Sequence, residues 1–254
     1  MTLAQSDTIL TWAEPDPVPL RATLVVLPGR GESPQVYERF GRRLAGDAYR
    51  VHVVEAPSAG ADRSREQIDG LLATAEPERP VVLVGSDAGA AYAAHLAART
   101  PTPFSALILA GLPVTPAAAP ARSWDDELDV RSSCPTHRAR ISQAGVRPAE
   151  LFIDLPEAWF DPGTPARISV PVLGVHGRDD TISPIGDARA WYARVPRAEL
   201  VGIAGAPHDA LNDQTHRTVA ASIVLFLERL RAGAGLAPIA VAEPLTSPAE
   251  RNPA

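Results

Sequence analysis

Val81-Val82-Leu83-Val84-Gly85-Ser86-Asp87-Ala88-Gly89-Ala90-Ala91 decides the reading of this chain. An apolar run too short for a helix gives way to small residues, then to an Ala-rich stretch of high helix propensity. The pattern predicts a buried strand, a sharp turn and a helix starting at Ala88. Gly85 and Gly89 flank the central residue at two positions on either side, where strand and helix backbones must approach closely. The Asp87 side chain is then forced outward at the start of a helix.

Working outward, short apolar runs alternate with helical spacing. Leu24-Val25-Val26-Leu27 stops at Pro28-Gly29, and residues 34–46 place Val36, Phe40 and Leu44 on one helical face. Strands are expected at 51–54, 107–110, 171–175 and 200–203. Helices are expected at 64–75, with Ser64 and Gln67 as a capping box, at 88–99 and at 214–231. Strands alternating with helices predict a mainly parallel α/β sheet covered on both faces, with ligands beyond the carboxyl ends of its strands. Residues 113–167 interrupt this alternation and carry a short helix around 124–131. They are expected to form a small cap on a core made of 1–112 and 168–231. Residues 232–254, rich in Gly, Ala and Pro, are expected to be an irregular tail.

The totals bound the chemistry. With 254 residues the chain is long enough for one α/β domain. All 24 basic residues are arginine, which excludes a Schiff-base lysine and a P-loop lysine. No cofactor is expected, because no dinucleotide-binding glycine pattern follows a strand. No metal is expected either, because no Cys/His set has zinc spacing. The net charge of −6, without a basic cluster, argues against nucleic acid. No stretch has the length of a membrane span, and the first seven residues lack the pattern of a signal peptide. With the single cysteine, Cys134, these features predict a cytoplasmic protein acting on a small molecule. A homodimer is compatible with them.

Three segments resemble the α/β-hydrolase fold superfamily. The first is Gly85-Ser86-Asp87-Ala88-Gly89, which is similar to that family's nucleophile elbow with aspartate in place of serine. The second is Val172-Leu173-Gly174-Val175-His176-Gly177-Arg178-Asp179-Asp180-Thr181-Ile182-Ser183-Pro184, similar to the strand and loop that deliver the acid. The Gly-x-x-Asp register, with Pro four positions later, selects Asp180 over Asp179. The third, Gly205-Ala206-Pro207-His208-Asp209, looks like the histidine loop. Leu27-Pro28-Gly29-Arg30-Gly31 stands where the family has its oxyanion loop, with proline in place of histidine.

The resemblance implies a triad of Asp87, His208 and Asp180, with the amides of Arg30 and Ala88 forming an oxyanion hole. A carboxylate at the elbow is ionised without help from a base. It suits displacement at a saturated carbon, as in epoxide hydrolases and haloalkane dehalogenases, giving an alkyl ester that His208 and water would hydrolyse. Attack on an ordinary ester carbonyl would give an anhydride. Ala88 stands where dehalogenases usually carry an aromatic residue, and the cap lacks the tyrosines that open epoxides; His137, Arg131 or Arg138 would have to replace them.

The substrate is expected to be small and fairly apolar, with Trp124, Arg131, His137, Arg138 and Trp159 as candidate binding residues. The two tryptophans could equally pack cap onto core. Ser86 is a nucleophile only if the turn shifts by one residue. Cys134 with His137 would make a thiol–imidazole pair only against the helix-breaking Pro135. His176 reads as structural. Two other readings stay open: a lyase, isomerase or cyclase using Asp87 and His208 as acid and base, and an esterase-like or catalytically silent binding protein.

Overall fold

The computed structural model describes residues 9–117, 120, 123–233 and 235–241. The first eight residues and most of the expected tail lie outside the described residues.

Seven strands form one sheet in the order β1-β3-β2-β4-β5-β6-β7. They are β1 (Leu10–Trp12), β2 (Ala22–Leu27), β3 (Tyr49–Val53), β4 (Val81–Ser86), β5 (Ala106–Ala110), β6 (Val172–Gly177) and β7 (Ala198–Ile203). Six run parallel, and β1 pairs antiparallel with β3 at the edge. Three residues without an apolar pattern gave no sequence signal for β1.

The buried runs alternate strictly. Leu24 and Val26 of β2 join one core layer, and Val25 and Leu27 join the other. The first layer is covered by α1 (Glu38–Ala45) and α8 (His216–Ala232). The second is covered by α2 (Ala61–Thr74), α3 (Ala88–Ala97) and α7 (Ile185–Tyr192). The expected capping box at Ser64 is corrected: Ser64 lies inside α2, whose N-cap is Gly60. The Ser64 hydroxyl donates to the carbonyls of Glu55 and Gly60, and Gln67 Oε1 accepts from the Glu55 amide. Both side chains bind the preceding loop instead of the helix end.

Between β5 and β6 lie α4 (Trp124–Arg131), α5 (Pro135–Gln143) and the one-turn α6 (Thr164–Arg167). Ser123 caps α4 by accepting from the Asp126 amide, and three acidic residues follow in its first turn, where the helix dipole favours them. Pro135 starts α5 instead of interrupting a helix, because the first helical position needs no N–H donor.

The parallel strands end nearly level. Leu27 pairs with Gly85, Ser86 with Ala110, and Gly177 with Ile203. The chain leaves β2 toward β3 on one side, and β4 lies on the other. The crevice beyond β2 and β4 is therefore the switch point of the sheet, where open α/β sheets place ligands. Arg30 follows β2 there, and Asp87 follows β4.

Candidate active site

The turn between β4 and α3 holds Asp87 at φ 47°, ψ −116°, a conformation that costs free energy for any residue with a Cβ. Its amide donates to the Ala110 carbonyl (2.9 Å), and its carbonyl accepts from Ala90 and Ala91. A Cβ on Gly85 would stand 2.3 Å from the Gly89 carbonyl oxygen, and one on Gly89 would stand 2.0 Å from that of Leu27. The turn thus needs both glycines, and it places the Asp87 carboxylate at the crevice, 1% exposed.

His208, Asp180 and Asp87 are brought together. His208 Nδ1 lies 2.9 Å from Asp180 Oδ2. Its Nε2 lies 3.3 Å from Asp87 Oδ1, in ion-pair contact but without hydrogen-bond alignment. Asp180 Oδ1 accepts from the amides of Ile182 (2.8 Å) and Ser183 (2.9 Å), which fixes the carboxylate. Asp179 is exposed. His176 is fully buried, with Nε2 2.5 Å from the Ser183 carbonyl and 3.3 Å from Asp180 Oδ2. It therefore supports the acid loop.

Burial works against charge on His208, but the Asp180 and Asp87 carboxylates push its pKa up to about 10. Burial likewise opposes ionisation of Asp87, but the Arg30 guanidinium and His208 hold it well below the usual carboxylate range. Asp180 is held low by His208 and His176 in the same way. The resting site is thus an imidazolium between two carboxylates. The stabilisation carried by the raised His208 is fully present below its ordinary value of 6.5 and is lost as the pH rises through about 10. A ring-NMR titration is expected to show His208 still charged at neutral pH. The melting-temperature gap between the natural chain and a His208→Gln variant is expected to shrink from pH 6.5 toward pH 10. A ring that titrates near pH 6 would contradict this assignment.

Arg30 departs from expectation. Its amide does reach Asp87 Oδ2 (2.9 Å), as an oxyanion donor would. Its side chain also turns back onto the same carboxylate, with Nε 2.9 Å from Oδ2 and Nη2 2.7 Å from Oδ1. Nη1 donates to the Ile153 carbonyl (3.1 Å), and the whole residue is 2% exposed. Ala88 is buried as the first residue of α3.

A second buried charge cluster lies next to this one, and sequence reading missed most of it. Arg131 is 0% exposed. It contacts Glu127 (3.0 Å), Glu32 (3.6 Å) and Asp209 (3.9 Å), and its Nη2 donates to the Arg30 carbonyl (2.8 Å). Glu32 Oε2 accepts from the Tyr37 hydroxyl (2.5 Å) and the Gly29 amide (2.9 Å). Burial and the neighbouring Asp209 raise the Glu32 pKa. Glu32, His137 and Asp209 form a group with metal-ligand atom types. The Arg131 Nη1 stands beside both carboxylates of that group, 3.6 Å from Glu32 and 3.9 Å from Asp209.

The five expected substrate-binding residues fall in different places, with His137 lining a cavity between α1 and α5 and Trp159 lining one beside α3. Arg131 is locked in the ion cluster. His137 pairs with Asp209 (3.2 Å). Arg138 pairs with Asp129 on the surface. Trp124 is half-buried and packs on the core layer of α1 and α8. Trp159 packs on Tyr92 of α3, with ring centroids 4.8 Å apart. None of the five is hydrogen-bonded or ion-paired to Asp87. The cavity reaching Arg30 measures about 50 Å³, lined also by Leu112, Val114, Ile182, Ser183 and Asp187. A larger one of about 540 Å³ lies between α1 and α5, away from Asp87.

No helix among the described residues is long and apolar enough to cross a membrane. No curated protein matches the sequence at a significant level. Among solved structures, a soluble variant of monoglyceride lipase from Saccharomyces cerevisiae is similar at 15% identity and TM-score 0.70, over 87% of this chain and 91% of that one. A monoacylglycerol lipase from Paleococcus ferrophilus is similar at 17% identity and TM-score 0.69, over 89% and 98%. MenH from S. aureus follows at 17% identity and TM-score 0.65, over 88% and 98%. At these identities the likeness concerns the fold. The model of the alpha/beta hydrolase family matches residues 24–221, which include the elbow, the acid loop and the histidine loop, and the chain belongs to that family.

Proposed function

We propose that this protein is a hydrolase that forms an alkyl ester on Asp87, with residues 113–167 acting as the cap over its site. The observation that carries the reading is the position of His208, spanning Asp87 and Asp180 at 3.3 Å and 2.9 Å. Asp87 Oδ1 faces the imidazole, while Oδ2 rests on the Arg30 amide. In the first step Oδ1 bonds to a saturated carbon, the bond from that carbon to the leaving oxygen breaks, and the His208 Nε2 proton goes to that oxygen. In the second step a water adds to the Asp87 carboxyl carbon and gives its proton to the now neutral His208. The ester then collapses to an alcohol and free Asp87.

The electrostatics suit both steps. Asp180 and, to a lesser extent, an ionised Asp87 keep His208 protonated and ready to act as an acid. Esterification removes that charge, so His208 becomes a base oriented by Asp180. His208 thereby takes the proton-donor role that the sequence left to His137, Arg131 or Arg138.

The Arg30 clamp favours a second reading: a carboxylate so held could serve as a fixed anion, with His208 alone moving protons in a lyase or isomerase. Intact-protein mass separates the two. A His208→Ala variant exposed to substrate is expected to gain the mass of the alkyl group on Asp87, because the ester can no longer be hydrolysed. Turnover by the natural chain, with no adduct on the variant, would favour the second reading.

A further inference from the structure

Both oxygens of Asp87 are occupied. Oδ2 accepts from the Arg30 amide and from Nε, and Oδ1 accepts from Nη2 while facing His208 Nε2. Three hydrogen bonds take three of the carboxylate's roughly four lone-pair sites, and the one left, on Oδ1, is turned to the imidazole at 3.3 Å and not to a substrate. The space beside Arg30, about 50 Å³, is far below the few hundred Å³ of an ordinary small-molecule site. Chemistry on Asp87 therefore requires the Arg30 side chain to move aside. That movement, and esterification itself, would strip a buried guanidinium of the one carboxylate it pairs with among the described residues, leaving a carbonyl contact at Ile153. Such a cation is costly unless another anion takes the vacated place.

We propose that the substrate carries that anion: a small carboxylate, or an oxyanion of similar shape, that Arg30 binds bidentately as it releases Asp87. The proposal rests on the nucleophile reading above and adds a substrate class to it, replacing the fairly apolar molecule expected from sequence. Arg30 would then act as lock and as specificity residue at once. Its fork matches a carboxylate in a way that a neutral isostere cannot. The electrophilic carbon would lie close to the anionic group, because Arg30 and Asp87 start in contact.

Iodoacetate and iodoacetamide test this directly. Asp87 attack forms an O–C bond, breaks C–I and releases iodide in both cases; only the acid carries a carboxylate. Labelling is read by mass on the Asp87 peptide in a Cys134→Ser, His208→Ala background, which removes the one thiol and traps the ester. Iodoacetate is expected to label Asp87 about tenfold faster or more. Adding Arg30→Gln should erase that preference, and Arg30→Lys should leave part of it.

In parallel, propionate and propionamide are titrated against the natural chain, with the His208 ring signal as readout. Saturable binding of propionate alone, lost in Arg30→Gln, is expected. Equal labelling by both reagents, or a preference that survives Arg30→Gln, would overturn the proposal. If neither reagent labels Asp87, the nucleophile reading falls. The propionate titration then decides the anion site by itself: saturation supports it, and no response overturns it.

Discussion

Asp87→Asn is expected to lower turnover by roughly 10³–10⁴-fold while leaving the protein folded. The amide keeps the shape of the carboxylate and one oxygen that accepts from Arg30, so the turn and the crevice survive, although its NH2 meets a donor and the Arg30 charge is left unbalanced. It cannot act as a nucleophile, and it withdraws one of the two anions that keep His208 charged. The protonated fraction of His208, the acid of the first step, would therefore fall as the nucleophile is lost. Asp87→Ala should lose more stability, because it removes the acceptors as well as the charge that face the Arg30 guanidinium, in a site 2% exposed. Breaking one side of a buried pair costs about 3–5 kcal/mol, so that variant is expected to lose stability as well as activity. Single-turnover kinetics and thermal melts separate the two effects. Asp87→Asn retaining near-full turnover would remove Asp87 from the chemistry altogether.

What the sequence made legible was local. The elbow, the acid loop and the histidine loop each follow a short apolar run, and strand ends in a parallel sheet share one edge. Order along the chain therefore placed Asp87, Asp180 and His208 on the same side. Asp180 was separable from Asp179 because the register to Pro184 is also local. Arg30 was legible only through its amide. Nothing in Leu27-Pro28-Gly29-Arg30-Gly31 says that the guanidinium folds back onto a residue 57 positions away.

The second cluster was hidden for the same reason. Arg131 and Glu127 are one helical turn apart and could be paired from spacing, but Glu32 and Asp209 come from distant loops. An arginine in an insertion above a functional edge resembles a substrate contact until its burial is known. Pro135 keeps Cys134 outside α5, as its N-cap, and starts the helix itself, because proline breaks a helix from within but starts one well.

The buried cluster makes the second large prediction, and it bears on how far residues 113–167 can move. The carbonyls of Val130 and Arg131, at the end of α4, accept from the amides of His208 (3.2 Å) and Asp209 (2.8 Å). The Arg131 side chain meanwhile binds the Arg30 carbonyl. One helix end thus ties the loop of Arg30 to the loop of His208, so α4 cannot swing away without breaking these contacts. Arg131→Met keeps much of the side-chain volume but leaves Glu127, Glu32 and Asp209 without their shared cation. Removing one member of such a set costs about 3–5 kcal/mol, which for a chain of this size lowers the melting temperature by on the order of 10 °C. Arg131→Lys should recover only part of the loss, because an ammonium cannot bridge Glu127 and the Arg30 carbonyl as the guanidinium does. Any surviving activity should fall more through kcat than through KM, since the loops that Arg131 joins carry His208 and the Arg30 amide. An Arg131→Met variant that melts within a degree or two of the natural chain would show that the cluster contributes no net stability. Unchanged kcat in that variant would free α4 from any role in positioning His208.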